Sequence, residues 1–442
     1  QSPIPNPQSP IPNPHFLNLE RLSLYNLFKL KSKKLKMGCS SSKELIKIKS
    51  ENDSIEKDIK EPEDASNINN LQKKTSIYKS VLFTQNLLLN SNLLLYTAYS
   101  NTSSEFNSKI ENNEPRLEKG TFKSSNHSIA IGYKKGYKLE FVNQDKFCVL
   151  LNGNLDAFII IDGHGYFGNK LAQICQDLLL QFVLDISQTQ EDFSQNYEKD
   201  FENIFSNINK KINNKEDNTY GDYDPYLSGV AVTICIRIKN YIYTANVGNV
   251  LAIIFCNDKL MSTKFNITEL TFNDSNFSED LVDNFDSPDN KKNKLNEIHY
   301  DSLIKPEQIF TEIRRIYEHG GEIRKLLGEV KSRIFVKGKY FPGLINTRSI
   351  GDHIGKSIGI MFKPHVTKFK LNNSQKYFLL MCSDGISNVC TITKLVDLIQ
   401  RNDQLLLESI NNILGESKSV YRSHTYTPDM TILIKEFKLE EF

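Results

Sequence analysis

The feature that most constrains the fold is a series of short apolar segments that begins near residue 126. Each segment has the length and the β-branched content of a buried strand. The segments are Ile129–Tyr133, Phe147–Leu151, Ala157–Ile161, Ala231–Ile238, Tyr241–Val247 and Leu251–Phe255. Such strands must bury apolar side chains, so the sequence predicts a sheet-rich core in the C-terminal part of the chain.

Helical periodicity interrupts this series of strands. Apolar side chains recur at steps of three and four residues from Leu171 to Val183, and again from Phe201 to Ile212. This spacing marks one buried face on each of two helices, and both faces are interpreted as core. Strands, then a pair of helices, then further strands predict an α+β sandwich.

Composition limits the class of protein. The chain has 442 residues and a formal net charge of +2, which gives no general reason to expect a nucleic-acid partner. Its 7 cysteines are scattered without a CxxC pair, which argues against a zinc site or a disulfide framework and favours a reducing, cytoplasmic location. No segment reaches the ~18 apolar residues of a membrane-spanning helix.

The N-terminal part is polar and irregular. Residues 1–36 repeat a proline-rich heptapeptide and then become basic, so they are interpreted as a disordered leader, as a translated upstream region, or as a genuine disordered arm. Residues 37–125 are expected to form a mostly disordered linker, and 126–442 the folded domain. A polar loop insert is expected near 256–305.

Met37 begins a possible lipidation motif, MGCSSS. If translation starts at Met37, Gly38 is a predicted myristoylation site and Cys39 a predicted palmitoylation site. Two lipids would anchor the chain peripherally to a membrane, whereas one binds only marginally. The alternative is an inert sequence within a disordered arm.

The chemistry is predicted at two strand ends. The apolar segment Phe158–Ile161 leads into Asp162-Gly163-His164-Gly165, and Phe378–Cys382 leads into Ser383-Asp384-Gly385. Glycine lets the backbone approach a ligand closely. A carboxylate beside an exposed carbonyl suits a hard cation such as Mn²⁺ or Mg²⁺, although an ordinary turn is the alternative for the tetrapeptide DGHG alone.

Further short motifs occur in a fixed order along the chain. They are NQD at 143–145, DGHG at 162–165, SG at 228–229, VGN at 247–249, GG at 320–321, TRSIGD at 347–352, SDG at 383–385 and DMT at 429–431. Together they resemble the motif series of PPM-type (type 2C) metal-dependent protein serine/threonine phosphatases. The resemblance implies two central antiparallel sheets flanked by helix pairs, a phosphoprotein substrate or binding partner, and two metal ions, usually Mn²⁺ or Mg²⁺. A monomer is expected.

The resemblance also implies roles for particular residues. Asp145, Asp162, the Gly163 carbonyl and Asp384 match metal-ligand positions, and His164 matches the proposed general acid. Asp429 is predicted as a further metal ligand, although it stands one residue later than the family's aspartate. In an extended strand, a shift of one residue reverses the side chain's direction.

Several ligand positions depart from the family pattern. Gln144, Asn249, Asn388 and Pro428 stand where acids are usual. Neutral amides offset less of the charge on two divalent ions, so one ion is expected to bind and a second to be held poorly. The family's phosphate-binding arginine has no clear match, and Lys135 and Lys138 are the nearby cations. Arg348 and Asp352 are expected to be structural.

Three functions remain open on this basis. One is a weak phosphatase acting on phosphoserine and phosphothreonine in proteins. The second is a pseudophosphatase that binds a phosphoprotein or acts as a scaffold without turnover. The third is a lipid-anchored scaffold whose long inserts carry the interactions. Restoring acids at 249, 388 and 428 is expected to tighten metal binding, because cation affinity follows ligand charge.

Overall fold

The computed structural model describes residues 94–97, 128–137, 142–152, 154–214, 220–257, 265–275, 306–327, 331–372, 375–400, 406–423 and 427–437. These residues belong to one compact unit, Leu71–Phe442. The predicted leader, the lipidation site at Gly38 and Cys39, and most of the 256–305 insert lie outside the described residues.

A seven-stranded antiparallel sheet forms the first layer of strands. Its members are β1 (Leu94–Thr97), β3 (Lys146–Leu151), β4 (Leu155–His164), β5 (Gly229–Ile238), β6 (Tyr241–Val247), β12 (Ile350–Gly351) and β13 (His365–Lys370). The order is β1-β3-β4-β5-β6-β13, and β12 pairs with β5. β4 and β5 are both long and run side by side, from Leu155 opposite Ile238 to His164 opposite Gly229.

A five-stranded sheet forms the second layer. Its strands are β2 (Ser128–Lys134), β7 (Leu251–Asn257), β8 (Phe265–Glu269), β14 (Tyr377–Cys382) and β15 (Met430–Phe437). Their order is β2-β15-β14-β7-β8. The two sheets pack face to face over a shared apolar core that includes Phe158, Ile160, Leu379 and Leu433.

Helices cover the outer face of each sheet. α1 (Gly168–Ile186) and α2 (Gln190–Asn213) pack on the first sheet. The second sheet is covered by the short α5 (Asp384–Ser387), by α6 (Ile392–Gln400) and by α7 (Leu406–Val420). A further four-residue helix, α4 (His353–Lys356), follows β12. The predicted α+β sandwich of two antiparallel sheets flanked by helix pairs is therefore confirmed.

A smaller unit lies outside the sandwich pattern that the sequence predicts. α3 (Pro306–Glu318) packs on a three-stranded sheet of β9 (Gly321–Lys325), β10 (Ser332–Val336) and β11 (Pro342–Leu344). Its own core includes Ile309, Ile313, Ile323 and Ile334. The unit places Lys331 immediately before β10.

The structure also differs from the sequence prediction at one edge. β1 lies within residues 37–125, which were predicted as a linker, yet Leu94 to Thr97 pair with Leu151 to Cys148 of β3. The apolar LLYT segment supplies this strand, and pairing satisfies backbone groups at the edge of the sheet. No described helix is both long enough and apolar enough to cross a membrane.

A buried ion pair joins β4 and β5 at the end opposite His164. Arg237 donates from both Nε, at 2.8 Å, and an NH2 group, at 2.7 Å, to the same Asp156 oxygen, and the two side chains are 2% and 0% exposed. Loss of one partner would leave an uncompensated buried charge.

Asp156→Ala should therefore lower the free energy of unfolding by about 3–5 kcal/mol, measured by urea denaturation. The double variant Asp156→Leu/Arg237→Met removes both charges and should recover most of the loss. If the single and double variants were equally unstable, the cost would come from packing and not from the stranded charge.

Candidate active site

The end of β4 carries the first group of predicted site residues. Side chains alternate along a strand, and Phe158 and Ile160 face the second sheet. Asp162, two residues further, therefore points into the space between the sheets, where it is half-buried. Its backbone pairs with Ala231 of β5.

Close packing explains the glycine that follows. A Cβ atom at Gly163 would lie 2.5 Å from the Gly168 carbonyl oxygen and 2.8 Å from that of Gln144. These contacts are with backbone atoms, which cannot move aside as a flexible side chain would. Gly163 thus lets the start of α1 and the segment before β3 close over the strand end.

Asp145 joins the two sheets. It precedes β3, and its Oδ2 accepts hydrogen bonds from Ser383 Oγ and Thr431 Oγ1, each at 2.7 Å. Both donors belong to the second sheet's segments, and Asp145 is only 1% exposed. The carboxylate therefore ties the start of β3 to the end of β14 and to β15. The role of Asp145 as a metal ligand stays a prediction.

Asp384 begins α5, directly after β14. Its Oδ2 accepts hydrogen bonds from the side-chain amides of Asn249, at 3.2 Å, and Asn388, at 3.3 Å. Asn249 also accepts a hydrogen bond from Asn346 at 3.1 Å. Asn249 and Asn388, which stand where acids are usual in the motif series, thus bond directly to the Asp384 carboxylate.

Asp429 is tied to the backbone. Its Oδ1 accepts the Gly136 N–H at 2.7 Å and its Oδ2 accepts the Gln144 N–H at 2.9 Å. Asp429 is 2% exposed, so these bonds hold two chain segments together away from water. Both carboxylate oxygens thus serve the fold, and the assignment of Asp429 as a metal ligand remains a prediction. Lys135 is exposed, and Lys138 lies outside the described residues.

His164 has a buried partner that the sequence interpretation treated as structural. Its Nε2 lies 2.7 Å from Oδ2 of Asp352, and the side chains are 31% and 1% exposed. Burial lowers the pKa of His164, but the Asp352 carboxylate outweighs that effect and the net shift is upward. Asp352 has a left-handed backbone with a φ of 46°, an uncommon conformation for a residue with a side chain that often marks functional positions.

Lys331 is the site residue that the sequence analysis missed. Its Nζ donates to Asn388 Oδ1 at 2.6 Å and to Ser275 Oγ at 3.2 Å. Burial lowers its pKa, whereas the nearby Asp384 carboxylate acts in the opposite direction. No motif surrounds Lys331, so only the packing of the smaller unit against the sandwich reveals it.

A second acidic group lies next to this site. Ligand atoms of Asp274, Glu312 and His365 fall within 4.8 Å of one another, as in a possible metal triad. However, Arg315 and Arg348 both donate to Glu312, and His365 Nε2 lies 3.2 Å from Asp274. A cation there would have to displace two arginines, so we interpret the group as an ion-paired network.

This network has a structural consequence for the site. Burial would raise the pKa of Glu312, but hydrogen bonds from Arg315 and Arg348 outweigh it and lower that pKa to about 2. Asp274 Oδ2 in turn accepts the Gly248 N–H at 2.7 Å. The network therefore fixes the turn that presents Asn249 to Asp384, in line with the structural role expected of Arg348.

Oxygen donors of the kind that bind a divalent cation lie at two strand ends. The Asp162 carboxylate and the Gly163 carbonyl at the end of β4, and the Asp384 carboxylate after β14, are hard oxygen donors that suit a divalent cation. On the other side of Asp384, the groups are the neutral amides of Asn249 and Asn388 and the ammonium of Lys331. An ammonium repels a cation, so that side does not fit a second ion.

Known proteins resemble this chain in sequence and in fold. A sequence model described as Protein phosphatase 2C matches residues 132–275 and 305–420. Probable protein phosphatase 2C 35 of Arabidopsis thaliana is 23% identical over 301 residues, which cover 67% of this chain and 79% of the relative. The crystal structure of a serine-threonine phosphatase 2C from Toxoplasma gondii matches with a TM-score of 0.53 at 13% identity, over 72% of this chain and 96% of that chain. This chain therefore belongs to the protein phosphatase 2C family, the PPM class of protein phosphatases.

Proposed function

We propose that this protein is a weak, metal-dependent phosphatase for phosphoserine and phosphothreonine in proteins, and that it works with one divalent cation, Mn²⁺ or Mg²⁺. The observation that supports this best is the His164–Asp352 pair at 2.7 Å, at the end of the strand that carries Asp162 and Gly163. A proton donor and two of the three oxygen ligands are thereby kept together on one strand.

The oxygen donors and His164 have distinct roles in this proposal. Asp162, Gly163 and Asp384 would hold the cation, which when bound stabilises charge on the phosphoryl oxygens. His164 donates a proton to the serine or threonine oxygen as it leaves. Because Nε2 bonds to Asp352, Nδ1 is the atom that donates. Asp352 orients the ring and favours its protonated, cationic form.

The alternative is a pseudophosphatase that binds a phosphoprotein without turnover. It is favoured by the amides of Asn249 and Asn388 around Asp384, because they leave fewer negative charges for metal ions. Turnover of a phosphomonoester separates the two functions. A purified domain that binds a phosphopeptide yet releases no phosphate in Mn²⁺ would support the pseudophosphatase.

Calorimetric titration with Mn²⁺ should give one site per chain. Asp384→Asn should weaken that site by at least about tenfold, since even changes to outer-shell partners of a metal cost 10–100-fold. Asp397→Asn is a matched control, because Asp397 is exposed on α6. Two equal, tight sites in the wild type, or an unchanged affinity in Asp384→Asn, would contradict the proposed cation site.

The pH–rate profile should report the His164–Asp352 pair. His164 must be protonated to donate, so activity falls as the pH rises through its pKa. The Asp352 carboxylate holds that pKa up. In Asp352→Asn, the basic limb of kcat/KM for a phosphothreonine peptide in Mn²⁺ should move to lower pH by roughly one unit or more, because a nearby opposite charge shifts a pKa by about 1–3 units.

Asp397→Asn should leave this basic limb in place. If the limb were also unmoved in Asp352→Asn, His164 would not be the group whose deprotonation limits the reaction. The two variants make the same chemical change, so a difference between them reflects position alone.

We also propose that the chain is cytoplasmic and peripherally membrane-bound through lipids on Gly38 and Cys39, on the basis of MGCSSS after Met37. When translation begins at Met37, Gly38→Ala should abolish labelling by a myristate analogue and move the protein to the soluble fraction. Cys39→Ser should keep the label but weaken membrane retention, since one lipid binds marginally. Unchanged retention of Gly38→Ala would rule out this anchor.

A further inference from the structure

We infer that the Lys331 ammonium is a built-in cation that takes the place of a second metal ion beside Asp384. The inference rests on the proposed function, because it concerns the same site and assumes that one exchangeable ion binds on the Asp162 side. On this inference, the amides of Asn249 and Asn388 are adaptations to a nearby lysine, and not only the loss of two metal-binding acids.

The hydrogen-bond chemistry of Asn388 supports this inference. A lysine ammonium only donates hydrogen bonds, so the amide must present its oxygen to Lys331, as it does at 2.6 Å. The amide nitrogen then faces Asp384 Oδ2, at 3.3 Å. An aspartate at 388 could not donate to Asp384, whereas asparagine bonds to the cation and the carboxylate at once.

Asn249 completes the same arrangement. Its amide nitrogen donates to Asp384 Oδ2 at 3.2 Å, so that this oxygen accepts from two neutral amides. Asp384 and Lys331 carry opposite unit charges, and the amides between them carry none. This group is electrically balanced without a metal ion, whereas a divalent ion placed among them would lie beside an ammonium that repels it.

The position of Lys331 is built into the fold. Ser332, its neighbour, pairs with Lys325 in the three-stranded sheet, so the backbone enters β10 at a fixed point. The second contact of Nζ is Ser275 Oγ at 3.2 Å. Ser275 adjoins Asp274, whose carboxylate holds the turn before Asn249. One segment therefore anchors both the lysine and the amide that faces Asp384.

The experiment compares Mn²⁺ stoichiometry by calorimetry in four proteins: the wild type, N249D/N388D, and that double variant with either Lys331→Met or Lys337→Met. Methionine keeps an unbranched chain of similar length without the charge. Lys337 is an exposed residue just after β10 and serves as the matched control. Thermal melting in a chelator shows that each variant is folded.

In the double variant, the new carboxylates should pair with the Lys331 ammonium, and the stoichiometry should stay at one ion per chain. Lys331→Met in that background should raise it to two, and Lys337→Met should leave it at one. A double variant that already binds two ions, or a folded Lys331→Met triple variant that binds no more than the double, would overturn the inference. Failure of the wild type to bind Mn²⁺ would instead contradict the proposed function, and the step between the double and triple variants would still decide the role of Lys331.

Discussion

The carboxylate of Asp145 is the contact on which the candidate site depends. It lies at the start of β3 in the first sheet and accepts hydrogen bonds from Ser383 and Thr431 in the segments of the second. Apolar packing between sheets has no direction, so it does not by itself fix how one strand end stands relative to another. A buried carboxylate with two hydroxyl donors does fix it, and thereby places Asp384 opposite the strand end that carries Asp162.

Cationic side chains neutralise several buried carboxylates around the site, and this distinguishes the site from a two-metal centre. Glu312 is neutralised by Arg315 and Arg348, and Asp352 by His164. Asp384 accepts hydrogen bonds from the amides of Asn249 and Asn388, and the Lys331 ammonium donates in turn to Asn388. The Lys331 ammonium repels a divalent ion on the side of Asp384 that carries these amides.

The sequence predicted the sandwich because its signals are local. The short, β-branched apolar runs of β3, β4 and β5, and the helical spacing of α1 and α2, are each contained within one element. The small unit of α3 and β9 to β11 was missed, because its strands are short and follow a long polar segment. β1 was missed for a related reason: four apolar residues within a polar region are too few to predict a strand, and pairing with β3 stabilises it.

By itself, the sequence determined which residues could carry the chemistry: the aspartates at two strand ends, the glycine beside one of them, and His164. It also determined that Asn249 and Asn388 cannot supply negative charge. Only the tertiary structure decided which groups meet, because contacts such as Lys331 with Asn388 and His164 with Asp352 join residues far apart in the chain. Such contacts leave no periodicity or spacing to detect. They arise when separate units pack, and here that packing places a lysine beside the positions where the sequence motifs predict metal ligands.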